Sequence, residues 1–217
     1  MSVAVKICCI QTVAEARLAL SYGATAIGLV AAMPSGPGPI PDPRIAEICR
    51  AIGDAAMTVL LTSETTAVGV CAHVARTGPR AVQLVDEVAP ETYRMLRAAF
   101  PDLTILQVVH VRDGFDVLAA QDAASHGCQI LLDSGAPNKP VRELGGTGRT
   151  HDWGLSAQIV KSVDTPVWLA GGLSPDNVAE AIRMVHPNGV DLCSGLRRNG
   201  DLDEELLARF MAAVRAA

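Results

Sequence analysis

Short β-branched runs alternate with longer stretches of helical period eight times along this chain, and that alternation constrains its fold more than any other feature. The runs are VAVKICCI (3–10), TAIGLV (25–30), MTVLLT (57–62), AVQLV (81–85), TILQVVHV (104–111), QILLD (129–133), PVWLAG (166–171) and GVDLCSG (189–195). Between them lie segments such as TVAEARLALSYG and SPDNVAEAIRMV, whose apolar residues recur at spacings of three and four. Strand and helix in strict alternation specify a parallel sheet covered by helices. Eight such units in 217 residues predict one (β/α)8 TIM barrel, a single domain over residues 1–217, with an open doubly wound sheet as the second architecture.

Composition fits an interior of that kind. The chain is 49% hydrophobic but only 3% aromatic, so Ala, Val, Leu and Ile must fill the core. A formal charge of −5 without a basic block gives no electrostatic footprint for nucleic acid. Every apolar run is broken too early to cross a bilayer, and no membrane association is expected. The six cysteines form no CxxC pair and no Cys/His cluster with zinc-ligand spacing. They are expected to be reduced thiols of a cytoplasmic protein that needs no metal. Ser174-Pro175-Asp176 predicts a serine cap with proline at the first helical position, and Gly23 and Gly53 predict left-handed helix ends.

Barrels of this class place their chemistry at the carboxyl ends of the strands. Side chains alternate along a strand, so Lys6 and Cys8 share the lumen face while Ile7 and Cys9 face the helices. Cys9 is then expected to be a packing residue. Cys8 has two readings, a small buried hydrophobe or a thiol base. Asp133, ending QILLD, either caps a turn or acts as a general acid across the barrel from that thiol. Strand four gives Gln83 and Asp86 and strand five gives His110 at the same mouth, the histidine as a titrating group or as a hydrogen-bonded bystander. Three glycine-bearing loops, LGGTGRTHDW (144–153), LAGGLSPDN (169–177) and CSGLR (193–197), let backbone N–H groups approach an anion. Gly146, Gly171, Gly172, Ser194 and Gly195 are the expected phosphate-binding positions, and the barrel is of the phosphate-binding type. The Pro/Gly-rich run from Met33 to Pro43 reads as a further loop of the active face.

In order, VKICCI, GATAIGLV, AVQLV, ILLDS, GGTGRTHDW, LAGGLSPDNV and GVDLCSGL resemble the KICGI, GAD-x-x-GF, VQLHG, LLD, GGTG-x-x-DW, LAGGL-x-x-NV and GVDVSSGVE segments of the phosphoribosylanthranilate isomerase family. The resemblance runs along nearly the whole chain. It implies an Amadori rearrangement in tryptophan biosynthesis that opens an N-linked ribose 5-phosphate to a 1-deoxyribulose 5-phosphate. It also implies Cys8 as general base, Asp133 as general acid and no cofactor. The implied partner is a phosphorylated small molecule, and the protein would be a monomer or a homodimer.

Four positions depart from the pattern. Proline at 37 stands where the family's S-x-R loop has the arginine that pairs with the anthranilate carboxylate, and Arg44 lies further on in an expected helix. Cys9 replaces the glycine of KICGI, VQLVD with Asp86 replaces VQLHG, and Arg197 replaces the final glutamate. These changes set a second expectation beside the first: a divergent relative that binds or isomerises another phosphorylated sugar, or binds one without turnover.

Overall fold

The computed structural model describes residues 3–34, 36, 38–135 and 150–217. Eight parallel strands close into a barrel: β1 (Ala4–Ile7), β2 (Ala26–Val30), β3 (Met57–Thr62), β4 (Ala81–Leu84), β5 (Thr104–His110), β6 (Gln129–Asp133), β7 (Val167–Leu169) and β8 (Gly189–Leu192). Each strand pairs with its neighbours in sequence, and β8 returns to β1 with Lys6 opposite Asp191 and Ile7 opposite Leu192. The helices α1 (Val13–Ser21), α2 (Asp42–Ile52), α3 (Ala67–Thr77), α4 (Pro90–Ala99), α5 (Asp116–Ser125), α6 (Trp153–Ser162), α7 (Val178–Val185) and α8 (Glu204–Arg215) follow the strands. The predicted (β/α)8 architecture is therefore the observed one, and the open sheet is not.

Strand alternation divides the interior into two packed layers. Outward residues such as Ile7, Ile27, Leu60, Leu84 and Leu132 meet the helices in one cluster. Inward residues, among them Ala26, Val59, Leu106, Leu131 and Trp168, fill the lumen in a second. The indole of Trp168 occupies the space a side chain at Gly189 would need, since a Cβ there would lie 2.4 Å from the ring. Its N–H donates to Gln129 Oε1 at 2.8 Å, so the lumen's large aromatic side chain has its polar atom satisfied.

The helix signals succeed in part. Gly23 (φ 103°) and Gly53 (φ 52°) take the positive φ expected at helix ends, and Arg44 lies in α2, paired with Glu47 at 3.2 Å. Ser174 caps the turn that leads into α7. Its Oγ accepts the Asp176 N–H at 3.3 Å and its carbonyl the Val178 N–H at 3.1 Å, while Asn177 Oδ1 accepts the Ser174 N–H at 2.8 Å; Pro175 falls in that turn and α7 itself starts at Val178. Three strands also end sooner than the apolar runs suggest. Cys9 (φ 61°) and Gly171 (φ 80°) leave the extended region and stop β1 and β7, while β8 gives way to a 3-10 turn over Ser194–Leu196. That turn leads into a hairpin, β9 (Arg197–Arg198) and β10 (Asp201–Leu202), across Asn199-Gly200. Both turn residues have positive φ, as a two-residue Asn-Gly hairpin requires.

Candidate active site

Alternation along β1 sends Lys6 and Cys8 into the lumen, as expected, and both are buried. The lysine is wholly enclosed, and its Nζ donates to Asp191 Oδ2 at 2.7 Å from the neighbouring strand. Burial by itself would lower the Lys6 pKa, but the Asp191 carboxylate outweighs it and keeps the side chain an ammonium. Cys8 lies one lumen position above Lys6 on β1. Burial pushes its thiol up to about 11; the Lys6 charge pulls against that shift and Asp191 adds to it. With these neighbours alone Cys8 is therefore a protonated thiol at neutral pH. The sulfur also needs Gly28 of β2 to have no side chain, because a Cβ there would fall 2.6 Å from Sγ.

Asp133 ends β6 with its side chain in the same mouth. Burial raises its carboxyl above the ordinary range and Asp191 adds to the rise, against the opposing pull of the Ser134 N–H, His110 and Lys6. Oδ1 accepts that N–H at 2.7 Å. His110, opposite Asp133 in the β5–β6 register, donates through Nε2 to the Val85 carbonyl at 3.3 Å. Its Nδ1 and the Oε1 of Gln83 are buried without a partner among the described residues. Two strand-end polar side chains, Asp133 and His110, and two polar atoms unsatisfied among the described residues thus converge on the opening.

Gly171 and Gly172 follow β7 with φ of 80° and 63°, a region open to glycine at little cost. A side chain at Gly171 would press on Ser134 and on Asp133 Oδ1, 3.1 Å from the added carbon. Gly195 abuts the Leu173 carbonyl, which an added Cβ would meet at 2.8 Å, so the loops after β7 and β8 pack directly together. Ser194, beside it, is exposed. Four of the five expected phosphate positions are accordingly neighbours at one side of the mouth, while Gly146 lies outside the described residues. Ser35 and Pro37 lie outside them too. Beside His110, a cavity of about 540 Å³ runs between α4 and α5. It is edged by Asp86, Glu87, Asp116 and Asp122 against Arg112, a charge balance that suits an anion poorly.

Two expectations about the cysteines are overturned. Cys9 is bonded to Cys193 across a sequence separation of 184, so the six cysteines are not all free thiols; Cys8, Cys49, Cys71 and Cys128 are. Nor does Cys9 pack against the helices. Its left-handed backbone turns the side chain back toward the lumen cluster and Cys193, with the two Cα atoms 5.8 Å apart. That conformation also accounts for glycine at this place in KICGI, since a residue without Cβ adopts it freely. Arg197 is engaged by internal partners. It donates to Glu15 Oε1 at 3.0 Å and to the carbonyls of Gly200 and Cys9, joining the β9–β10 hairpin to the start of α1. Burial pushes the Glu15 carboxyl up, but hydrogen bonds from Arg197, Gln11 and Leu202 outweigh it and hold the group ionised. The positions missed from sequence were Asp191, Gly28 and Cys193. Barrel closure was the available signal, because it sets β8 beside β1 and requires a partner for a buried lysine.

A family model described as N-(5'phosphoribosyl)anthranilate (PRA) isomerase matches residues 5–213. The chain is 37% identical over 209 residues to N-(5'-phosphoribosyl)anthranilate isomerase 2 of Methanosarcina mazei, covering 95% of this chain and 92% of that one. It is 35% identical to the N-(5'-phosphoribosyl)anthranilate isomerase of Haloferax volcanii, over 98% of this chain and 93% of the relative. Among solved structures, the phosphoribosyl anthranilate isomerase of Thermococcus kodakaraensis superposes with a TM-score of 0.81 at 32% identity, covering 99% of both chains.

Proposed function

We propose that this chain, which belongs to the N-(5'-phosphoribosyl)anthranilate isomerase family, isomerises phosphoribosylanthranilate with Asp133 as the general acid and Cys8 as the general base. The observation that carries the reading is the pair itself, a buried thiol and a buried carboxyl with raised proton affinity, facing one barrel mouth. A carboxyl that holds its proton can deliver it to the furanose ring oxygen. The C1′–O bond then breaks, the ring oxygen becomes a hydroxyl, and the nitrogen lone pair forms a C1′=N iminium. Cys8, as thiolate, takes the C2′ proton, and the electrons of that C–H bond form the C1′=C2′ double bond of an enolamine. The iminium pair returns to nitrogen in that step, and protonation at C1′ with loss of the C2′ hydroxyl proton then gives the ketone.

The order of these steps suits the electrostatics. A thiol pushed up to about 11 is by itself a weak source of thiolate. The iminium created by ring opening brings a positive charge against the sulfur, which favours the thiolate where it is needed. Gly171, Gly172, Ser194 and Gly195 are the groups assigned to the 5′-phosphate, supported by their adjacency and by open backbone at the two glycines. Anchoring the phosphate there fixes the sugar relative to acid and base. Gln83 and His110 present atoms, unsatisfied among the described residues, that can receive sugar hydroxyls.

Purified protein mixed with freshly generated phosphoribosylanthranilate tests the proposal through decay of the anthranilate fluorescence signal, against a control for spontaneous hydrolysis. Decay well above the control is expected. Proline at position 37 favours a second reading, in which the sugar phosphate carries a different aglycone. Absence of turnover together with binding of ribose 5-phosphate would replace the first reading with that one.

A further inference from the structure

The geometry points to Asp191 as a positioning residue for this reaction: it anchors the Lys6 ammonium beside Cys8, so that a fixed positive charge faces the sulfur when the C2′ proton is taken. The inference rests on the reading of Cys8 as the base. Three observations support it independently of that reading. Lys6 and Asp191 are direct partners in the β1–β8 register, and their side chains meet at 2.7 Å. Lys6 is 0% exposed and reaches no carboxylate other than Asp191 among the described residues; against burial, Asp191 is the first support of its charge and the Cys8 sulfur the second. The second carboxylate oxygen of Asp191, Oδ1, is buried without a partner among the described residues, a cost that a purely structural ion pair would be expected to relieve.

The charges around Cys8 decide the sign of the effect. The titratable groups facing this part of the lumen are Lys6 on β1, Asp191 on β8, Asp133 on β6 and His110 on β5. The strands β2, β3, β4 and β7 offer Gly28, Leu61, Gln83 and Ala170 at the corresponding positions, none of which titrates. Asp191 thus acts on Cys8 in two opposed ways, directly as a negative charge and indirectly by keeping Lys6 charged. With the carboxylate gone, burial would pull the Lys6 pKa down and favour the neutral amine. The larger, favourable charge at the thiol would then be lost along with the smaller, unfavourable one.

The test measures the pH dependence of Cys8 alkylation by iodoacetamide, followed on the Cys8 peptide by mass spectrometry, beside the pH dependence of kcat/KM. Asp191→Asn and Lys6→Met are each expected to move the Cys8 alkylation midpoint upward by about one unit or more, and to move the turnover profile with it. The double variant should shift no further than either single one, because both remove the same charge. A downward shift in Asp191→Asn would overturn the proposal, as it would show the carboxylate acting on the thiol directly. An unmoved midpoint with lower thermal stability would overturn it in favour of a structural pair. Should Asp191→Asn fail to fold with an unpaired buried lysine, the double variant, which buries no charge, decides by the same criterion: its midpoint must lie above wild type. If the alkylation midpoint moves and the turnover profile does not, the role in the reaction is refuted. Assay of Cys8→Ser then separates the two ideas, since full activity in that variant would place the fault in the base assignment rather than in the Lys6–Asp191 pair.

Discussion

Replacing Gly28 with alanine perturbs the proposed base without touching its chemistry. The added methyl would stand 2.6 Å from Cys8 Sγ, 3.1 Å from its Cα and 3.2 Å from its Cβ. Two of these neighbours are the rigid root of the side chain, so rotation of the thiol cannot relieve the contact alone. Ordinary separation begins near 3.4 Å, so sulfur and methyl must part by about 0.8 Å, close to the ångström of misplacement that costs roughly 10²-fold in rate. Overpacking of this kind should also cost about 1–3 kcal/mol of stability. The expected result is a kcat reduced by between about 10- and 100-fold, with a folded barrel by circular dichroism and a urea midpoint lowered accordingly. Gly114→Ala is the control, since a Cβ there meets nothing within 4 Å and its φ is not positive. Wild-type kcat in Gly28→Ala, with the stability loss present, would refute the claim that the position of Cys8 limits the reaction.

Three further outcomes follow from the same geometry. Asp133→Asn should reduce turnover by at least about 10²-fold through loss of the ring-opening proton; an unchanged rate would move the acid elsewhere. Reduction of Cys9–Cys193, or Cys193→Ser, should lower unfolding stability by as much as about 5 kcal/mol, because the bond closes a loop of sequence separation 184; identical urea curves with and without a dithiol reductant would contradict this. Burial lowers the His151 pKa to about 4 from an ordinary 6.5, so the unfolded chain binds the extra proton first as pH falls. The stability His151 contributes is then complete above about pH 6.5 and lost toward pH 4, on the order of 3 kcal/mol in all. His151→Gln should flatten that part of the stability profile, and an unchanged slope would show that the histidine is not the group responsible.

The parts of this molecule legible from sequence are those set by residue period. Apolar runs marked all eight strands, and alternation from Lys6 to Cys8 placed both in the lumen. What escaped was set by backbone conformation or by long-range closure. Nothing in the identity of Cys9 announces φ of 61°, which ended β1 early and reversed the expected side of that thiol. The partner of Cys9 lies 184 residues away and becomes its neighbour only because β8 closes on β1. Asp191 escaped for the same reason. It sits in a run, GVDLCSG, that reads as an ordinary buried strand until Lys6 is placed opposite it. Asn199-Gly200 did carry a short-range hairpin signal, just beyond the segment 193–197 that was assigned to phosphate binding.

The central claim is that Cys8 removes the C2′ proton, and substitution of that one sulfur tests it most directly. Steady-state decay of phosphoribosylanthranilate fluorescence should be measured for wild type, Cys8→Ser and Cys49→Ser, the last removing a buried thiol outside the lumen. The account predicts turnover in wild type and Cys49→Ser and a loss of at least about 10²-fold in Cys8→Ser, with all three folded. Equal rates in Cys8→Ser and wild type would contradict it.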